Sequence, residues 1–288
     1  MTSTPIIDMF SGTGELARAV ADGLNEFTCF QSFSDNYGPA RKYLKARFRN
    51  VKIHSDFRDQ DVPEGSIVTI GAPCQDLSVA GKRTGAERGS GTRSSLIHEA
   101  VAGGADLIVA ENVPGGYRTY LDLARWLETE HSYRTTVSSG GAWEVGAPHR
   151  RERIMLVATN RHFEPRLINV IRQTVPSGLL PTPTASSATG PGRNGKGGGA
   201  NLQTRIHEGP DPDPALIITW ARVVQGFHPP LKDDWGRLNA AFVEWLMGLP
   251  STHAVGLSRT ASIRLAGNAV VRLMLQRGLT AINNERNL

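Results

Sequence analysis

Cys74 stands in the stretch Gly71-Ala72-Pro73-Cys74-Gln75-Asp76-Leu77-Ser78, where Gly and Pro end the apolar run Ser66 to Ile70. A loop at the carboxyl end of a strand is where open α/β sheets present their chemistry. A thiol there becomes nucleophilic when it is partly exposed and its surroundings are electropositive. Lys82, Arg83, Arg88 and Arg93 follow, and Glu87 is the one acid between Lys82 and Arg93. Packing as a small buried hydrophobe is the ordinary fate of a free cysteine. The neighbours of Cys74 favour a nucleophile instead.

Acidic residues occupy the same kind of position elsewhere. Asp35 follows the run Phe27 to Phe33, Asp56 follows Val51 to His54, and Glu111-Asn112 closes the run that begins at Asp106. Near the start, Met9-Phe10-Ser11-Gly12-Thr13-Gly14-Glu15-Leu16-Ala17 follows the short run Pro5 to Asp8, and Gly12 and Gly14 let the backbone approach a ligand closely. The spacing satisfies G-x-G-x-x-A, and Asp35 lies 21 residues beyond Gly14, where a carboxylate can bind ribose hydroxyls. A nicotinamide or flavin dinucleotide fits that pattern as well as any other nucleoside cofactor does. A tight strand-to-helix turn, with Asp35 capping the next helix, is the structural alternative. Gly146 to Arg153 brings His149, Arg151 and Arg153 to the threshold of the apolar run Ile154 to Ala158.

These residues need a scaffold that presents strand ends. The pattern predicts strands at 5–8, 27–33, 51–54, 66–70, 106–113, 133–138 and 154–158, with a further short one at 143–145. Helices are expected up to Leu24 and over 38–48, 96–103, 120–130, 242–249 and 268–279. Alternation of strand and helix through residues 5–158 argues for one mostly parallel, Rossmann-like sheet covered on both faces. Residues 80–95 lack hydrophobic periodicity and read as a mobile loop. Residues 186–206 hold six glycines with Arg193, Lys196 and Arg205 and no acid, so a loop-rich, basic segment is expected there.

With 288 residues, a large domain carrying a smaller one is the natural organisation. Two cysteines, Cys29 and Cys74, cannot build a disulfide framework, and the Met1 end has neither a basic nor an apolar leader region. A cytoplasmic, intracellular setting is therefore expected. No apolar run reaches membrane-spanning length. The net charge of +5 and a pI near 9.5 favour a polyanionic partner.

Taken together, Asp8 to Gly14, Pro73-Cys74-Gln75 with Ser78, Glu111-Asn112-Val113, Gly146 to Arg153 and Gly267-Asn268-Ala269-Val270 resemble, in order and spacing, the DNA (cytosine-5)-methyltransferase family. The likeness covers residues 5–160 and about 238–280, and Leu238 to Pro250 resembles the element before the family's last motif. It implies an S-adenosyl-L-methionine-dependent fold with catalytic and cofactor-binding parts at 1–159 and 238–288. Between them, 160–237 would form a small target-recognition domain. The implied setting is a prokaryotic or phage-infected cell. A monomer acting on double-stranded DNA is expected, with room for a cognate restriction endonuclease acting on the same site.

The resemblance also implies roles. Cys74 would add to carbon 6 of a cytosine flipped out of the duplex, making carbon 5 able to take a methyl group. Glu111 would contact ring nitrogen 3, Asn112 would help to hold the pocket, and Arg151 and Arg153 would bind the base and organise the loop. Phe10, Ser11, Gly12, Gly14 and Leu16 would surround the methionine part of the cofactor, with Pro73 beside them. Asp35 would take the ribose, Asp56 and Phe57 the adenine, and Asn268, Ala269 and Val270 the floor. Gln75, Ser78, Lys82, Arg83, Arg193, Lys196, Gln203 and Arg205 would contact nucleic acid. The dinucleotide reading leaves Cys74, Glu111 and Arg151 without roles. His149 departs from the family's usual glutamine, and a hydrogen-bonding structural role suits it better than acid–base work. Two alternatives share these motifs: a tRNA cytosine-5 methyltransferase, and a catalytically inactive, sequence-specific DNA-binding protein. The length of 160–237 favours DNA over tRNA, and the intact Cys74, Glu111 and Arg151 favour an enzyme.

Overall fold

The computed structural model describes residues 3–24, 27–71, 96–160, 175–190, 201–252 and 255–276. The chain divides into two compact units. The first is Met1–Gly140, Glu152–Asn169 and Leu275–Leu288, and the second is Gly141–Arg151 and Val170–Met274. Division by compactness thus groups residues 238–274 with the segment before them, whereas division by motif groups them with the N-terminal part.

The first unit is an α/β sheet. Its strands are β1 (Thr4–Met9), β2 (Thr28–Ser34), β3 (Lys52–His54), β4 (Ile67–Gly71), β5 (Leu107–Asn112), β6 (Arg134–Gly141) and β7 (Glu152–Thr159), in the order β3-β2-β1-β4-β5-β7-β6. β1 pairs in parallel with β2 and β4, β2 with β3, and β4 with β5, while β7 runs antiparallel to β5. Central parallel strands are covered on both faces and so read as apolar runs. Ile6, Ile7, Ile67, Val68 and every residue of β5 are buried accordingly. The connecting helices are α1 (Glu15–Gly23), α2 (Gly38–Arg47), α3 (96–102) and α4 (Tyr117–His131). α2 opens with a proline in its first turn and closes with Lys45 and Arg47, which suit a helix carboxyl end.

The second unit is helical, with α5 (Leu202–Glu208), α6 (Pro214–Val223), α7 (Ala240–Leu246) and α8 (Arg259–Asn268). Its core gathers Trp220, Phe242, Val243, Leu246 and Ile263. Trp220 Nε1 donates to the Trp245 carbonyl at 2.9 Å, and Trp245 Nε1 to that of Gly226 at 2.9 Å. At Gly267 the backbone of α8 meets that of Thr184 and Ala185, where a Cβ would lie 2.4 Å from the Thr184 carbonyl carbon.

Three expectations are corrected. Residues 143–145 form part of a 3-10 turn, Ala142–Val145, rather than a strand, because the Trp143 ring folds back over Gly141, where a Cβ would lie 2.2 Å from it. The helix expected at 268–279 begins much earlier. α8 starts behind its Ser258 cap and stops at Asn268, Ala269 is extended, and helical residues resume at 272. The loop-rich reading of 186–206 misses α5, whose Asn201 side chain accepts from Thr204 N at 2.9 Å. α6 starts in the same way, with Asp213 as cap and Pro214 behind it.

Asp8, near the end of β1, is fully buried, and Thr69 Oγ1 on β4 donates to its Oδ1 at 2.5 Å. Desolvation pushes its pKa up to about 7, against the opposing hydrogen bonds from Thr69 and Ser11. Between about pH 4 and pH 7 the folded chain therefore keeps a proton that the unfolded chain has lost, so stability falls as pH rises through that window. Asp8→Asn stays neutral and keeps an acceptor for Thr69. Urea titrations should show the wild type losing about 2–3 kcal/mol relative to Asp8→Asn between roughly pH 5 and pH 8. Parallel pH profiles for the two proteins would show that Asp8 titrates as an ordinary carboxylate.

Candidate active site

Beyond the ends of β1, β2 and β3 lies a shallow cleft of about 90 Å³, lined by Phe10, Ser34, Asp35, Asn36, Ser55, Asp56 and Phe57. Phe10 and Phe57 supply an apolar pair with ring centroids 5.7 Å apart. Phe10 has a left-handed φ of 56°, uncommon for a bulky residue, and Gly12 and Gly14 follow with φ of 54° and 73°. A loop with three such residues is held by its surroundings. Ser11 Oγ donates to the Asp8 carbonyl at 2.9 Å, and Ser11 N to the Ser34 carbonyl at 2.8 Å.

Asp35 is the hinge of the cleft. Its Oδ2 accepts from Gly12 N and its Oδ1 from Tyr37 N, both at 2.8 Å, while Arg41 Nη1 donates to its main-chain carbonyl at 2.8 Å. Burial pushes its pKa up, and the two backbone donors and Arg41 pull against that. The carboxylate thus anchors the Gly12 turn and lines the cleft with lone pairs to spare. Asp56 behaves differently. Arg58, through its side chain and its backbone N–H, holds the Asp56 carboxyl down at about 2.

At the other side of the sheet's carboxyl edge, Gly71 of β4 is registered with Glu111 of β5, which is registered with Met155 of β7. Arg153 Nε lies 2.6 Å from Glu111 Oε1, and both side chains are at most 15% exposed. Tyr120 on α4 donates to the Glu111 carbonyl at 3.0 Å. The Asn112 Oδ1 accepts from Val113 N at 2.8 Å, and its buried Nδ2 has no partner among the described residues. A buried carboxylate set against a guanidinium can hold a polar heterocycle edge by hydrogen bonds.

Arg151 has a different environment from Arg153. It is 1% exposed, and its guanidinium donates to the carbonyls of Pro183 and Gly267, at 3.2 Å each, and of Ala269. All three acceptors belong to the second unit, so Arg151 braces that unit from within. Asn268, Ala269 and Val270 also belong to the second unit, where α8 ends. His149 is fully buried, with Nε2 3.1 Å from the Leu246 carbonyl, in keeping with a structural role.

Leu16 packs in the core of the first unit on α1. Gln203 is buried on α5, with no partner for Oε1 among the described residues, and Arg205 donates to the Pro210 carbonyl beyond its own helix. As placed, Gln203 packs and Arg205 closes a helix end. Pro73, Cys74, Gln75, Ser78, Lys82, Arg83, Arg193 and Lys196 lie outside the described residues, as does the loop expected at 80–95. Sequence reasoning missed Ser34, Asn36 and Ser55 in the cleft, although each is the immediate neighbour of a strand-end acid. It also missed Arg41, whose grip on the Asp35 carbonyl carries no motif.

The chain is 28% identical over 170 residues to the type II methyltransferase M.CviJI of Paramecium bursaria Chlorella virus IL3A, covering 57% of this chain and 45% of that protein. It is 31% identical over 176 residues to M2.BsuMI of Bacillus subtilis, covering 54% and 41%. The chain thus spans less than half the length of these relatives. In fold it is similar to the Entamoeba histolytica methyltransferase EhMeth, with a TM-score of 0.61, 13% identity and 99% of each chain covered. With the strand-end residues in place along the sheet edge, the family model of C-5 cytosine-specific DNA methylases matches residues 4–190, and the chain belongs to that family.

Proposed function

We propose that this protein moves a methyl group from S-adenosylmethionine to carbon 5 of a cytosine in duplex DNA, through a covalent bond between Cys74 and carbon 6. The observation that carries the proposal is the Glu111–Arg153 pair, registered through β5 with the last residue of β4. Cys74 follows Gly71 by three residues, and an extended chain of that length spans at most ~11 Å. The proposal has the Cys74 thiol act on the Glu111 side of the sheet.

The cleft fits the cofactor's nucleoside half. Asp35 offers acceptors for ribose hydroxyls, and Phe57 and Phe10 offer apolar faces for adenine. When bound, the cofactor supplies an electrophilic methyl group. The chain's own residues do the rest. The Cys74 thiolate bonds to carbon 6, and electron density moves toward ring nitrogen 3, which Glu111 holds by hydrogen bonding while Arg153 holds Glu111. After carbon 5 is methylated, water takes the carbon 5 proton, the carbon 6–sulfur bond breaks to free the thiolate, and the proton that ring nitrogen 3 took up during the addition returns by way of Glu111, which restores the aromatic ring. Arg151, whose guanidinium also braces the second unit, would bind the base beside Arg153.

Purified protein should transfer tritiated methyl to duplex DNA and not to tRNA. The reverse preference would favour the tRNA alternative, and transfer to neither would favour the inactive DNA-binding alternative. Duplex DNA carrying 5-fluorocytosine at the target should form a denaturation-resistant adduct, because fluorine cannot leave as the proton does. Cys74→Ala should form none, and an equal adduct with that variant would remove Cys74 from the chemistry.

Asp35→Ala should weaken S-adenosylmethionine binding by about 1–3 kcal/mol in calorimetric titration, since it removes acceptors both for the ribose and for Gly12 N. DNA affinity should stay the same. Unchanged cofactor affinity would take Asp35 out of the site.

Residues 160–237 are proposed to choose the cytosine. With Gln203 packed inside and Arg205 closing a helix end, Arg193 is taken as a side chain that would pair bidentately with a guanine, worth ~1–3 kcal/mol of discrimination. Lys196 would neutralise phosphate whatever the sequence. Genome-wide methylation mapping should show a relaxed site for Arg193→Ala, and lower efficiency at an unchanged site for Lys196→Ala. An unaltered map for both would place recognition elsewhere.

A further inference from the structure

The chain's positive charge is unevenly placed. Residues 38–54 contain Arg41, Lys42, Lys45, Arg47, Arg49 and Lys52 and no acid, whereas the other residues hold 26 bases and 27 acids. The net charge of +5 is therefore concentrated in one helix, the turn after it and the short strand it leads to. Nothing in the proposed chemistry uses these groups. Arg41 is committed to the Asp35 carbonyl.

On α2 the buried residues are Ala40, Tyr43 and Leu44, with Phe48 just beyond, and the Phe48 ring packs edge-on against Phe33 with centroids 4.6 Å apart. Lys42 and Lys45, three residues apart, are exposed on the opposite face of α2, and Arg49 is exposed in the turn that follows the helix. Arg47 and Lys52 are exposed beside it. Among the described residues, no carboxylate forms an ion pair with Lys45, Arg47, Arg49 or Lys52. The nearest acids along the chain are engaged elsewhere. Asp35 accepts from backbone N–H groups, and Asp56 pairs with Arg58. A lysine on an edge strand also discourages strand pairing, which suffices for Lys52 alone. It does not account for Lys45 and Arg47 on α2 or for Arg49 in the turn after it.

We propose that this face is a docking surface for the phosphate backbone of duplex DNA, separate from the Glu111 side of the sheet and indifferent to sequence. Charge complementarity names a polyanion, and the composition of the face narrows it. A helix that lies on a membrane presents large apolar residues to the lipid, whereas those of α2 are packed in the core. Single-stranded nucleic acid is gripped by exposed aromatic rings, and Tyr43 and Phe48 are buried. What remains exposed is cationic side chains together with Ala46 and Asn50, which suits phosphate contacts without base readout. Such a surface would hold the enzyme on DNA between target sites.

The test uses the full chain without cofactor and a 20-base-pair duplex of A·T pairs only. With no cytosine in the probe, failure of the methyl-transfer reading leaves this experiment standing. Anisotropy titrations at several salt concentrations give the slope of log K against log salt, about −0.9 per neutralised phosphate. The variant Lys45→Gln/Arg47→Gln/Arg49→Gln/Lys52→Gln should lower the slope's magnitude by about 2–4 and weaken binding about 10- to 100-fold near 100 mM salt. Each half-variant, Lys45→Gln/Arg49→Gln and Arg47→Gln/Lys52→Gln, should lose about half of that slope, which keeps the test decisive if the fourfold change unfolds the chain. Lys45→Arg/Lys52→Arg should bind as the wild type does. An unchanged slope in variants that melt at the wild-type temperature would overturn the proposal. So would binding to phosphatidylglycerol vesicles that these substitutions abolish while DNA binding persists.

Discussion

The bond from Gly12 N to the Asp35 carboxylate ties together the two strand ends on which the cleft depends. β1 and β2 are parallel neighbours, so their carboxyl ends emerge side by side, but parallel pairing alone does not fix the loops beyond. Asp35 supplies the missing constraint. Burial makes its charge costly, and the donors of Gly12 and Tyr37 offset that cost only while the loop keeps its left-handed turns. The carboxylate and the loop therefore hold each other in place. At β4 the same loop meets a second constraint, since a Cβ on Gly71 would lie 2.8 Å from the Phe10 carbonyl. A glycine at that strand end lets the Phe10 loop and β4 share one edge.

Much of this was legible in the sequence. Apolar runs ending in Asp35, Asp56 and Glu111 announced parallel strands with acidic groups at or just beyond their carboxyl ends. Other features depended on contacts between distant segments. α8 ends where Ala269 turns extended and its carbonyl meets Arg151, which no local propensity encodes. Trp143 resembles a strand residue until its ring needs the space left by Gly141. α5 and α6 lay in a stretch whose glycines obscured Asn201 and the Asp213-Pro214 pair as helix starts.

Arg151 and Arg153 show why motif reading alone could not divide the labour. Two residues apart, they would share a face if the strand included both. β7 begins at Glu152, so the alternation reaches Arg153 and not Arg151. Arg153 lies on the sheet beside Glu111, and Arg151, one residue before the strand, turns to three carbonyls of the second unit. Those carbonyls come from the Pro183 segment and the end of α8. A guanidinium has enough donors in a fixed plane to satisfy several such acceptors at once, which an ammonium does not match.

The first unit also keeps polar atoms that the described residues leave unsatisfied: Asp8 Oδ2, Gln60 Oε1 and Asn112 Nδ2, all buried. Each such group costs ~1–3 kcal/mol in an apolar interior, so a core selected for stability alone would shed them. Asp8 and Gln60 lie behind the Gly12 loop, where Gln60 Nε2 donates to the Asp8 carbonyl at 3.2 Å, and Asn112 follows Glu111 at the end of β5. Asp8 and Asn112 lie at or next to the carboxyl ends of β1 and β5. Protonation moderates the largest of these costs, since a neutral Asp8 carboxyl loses far less on burial than a carboxylate does. The sheet thus concedes stability at these buried polar groups and recovers it from the apolar strands around them.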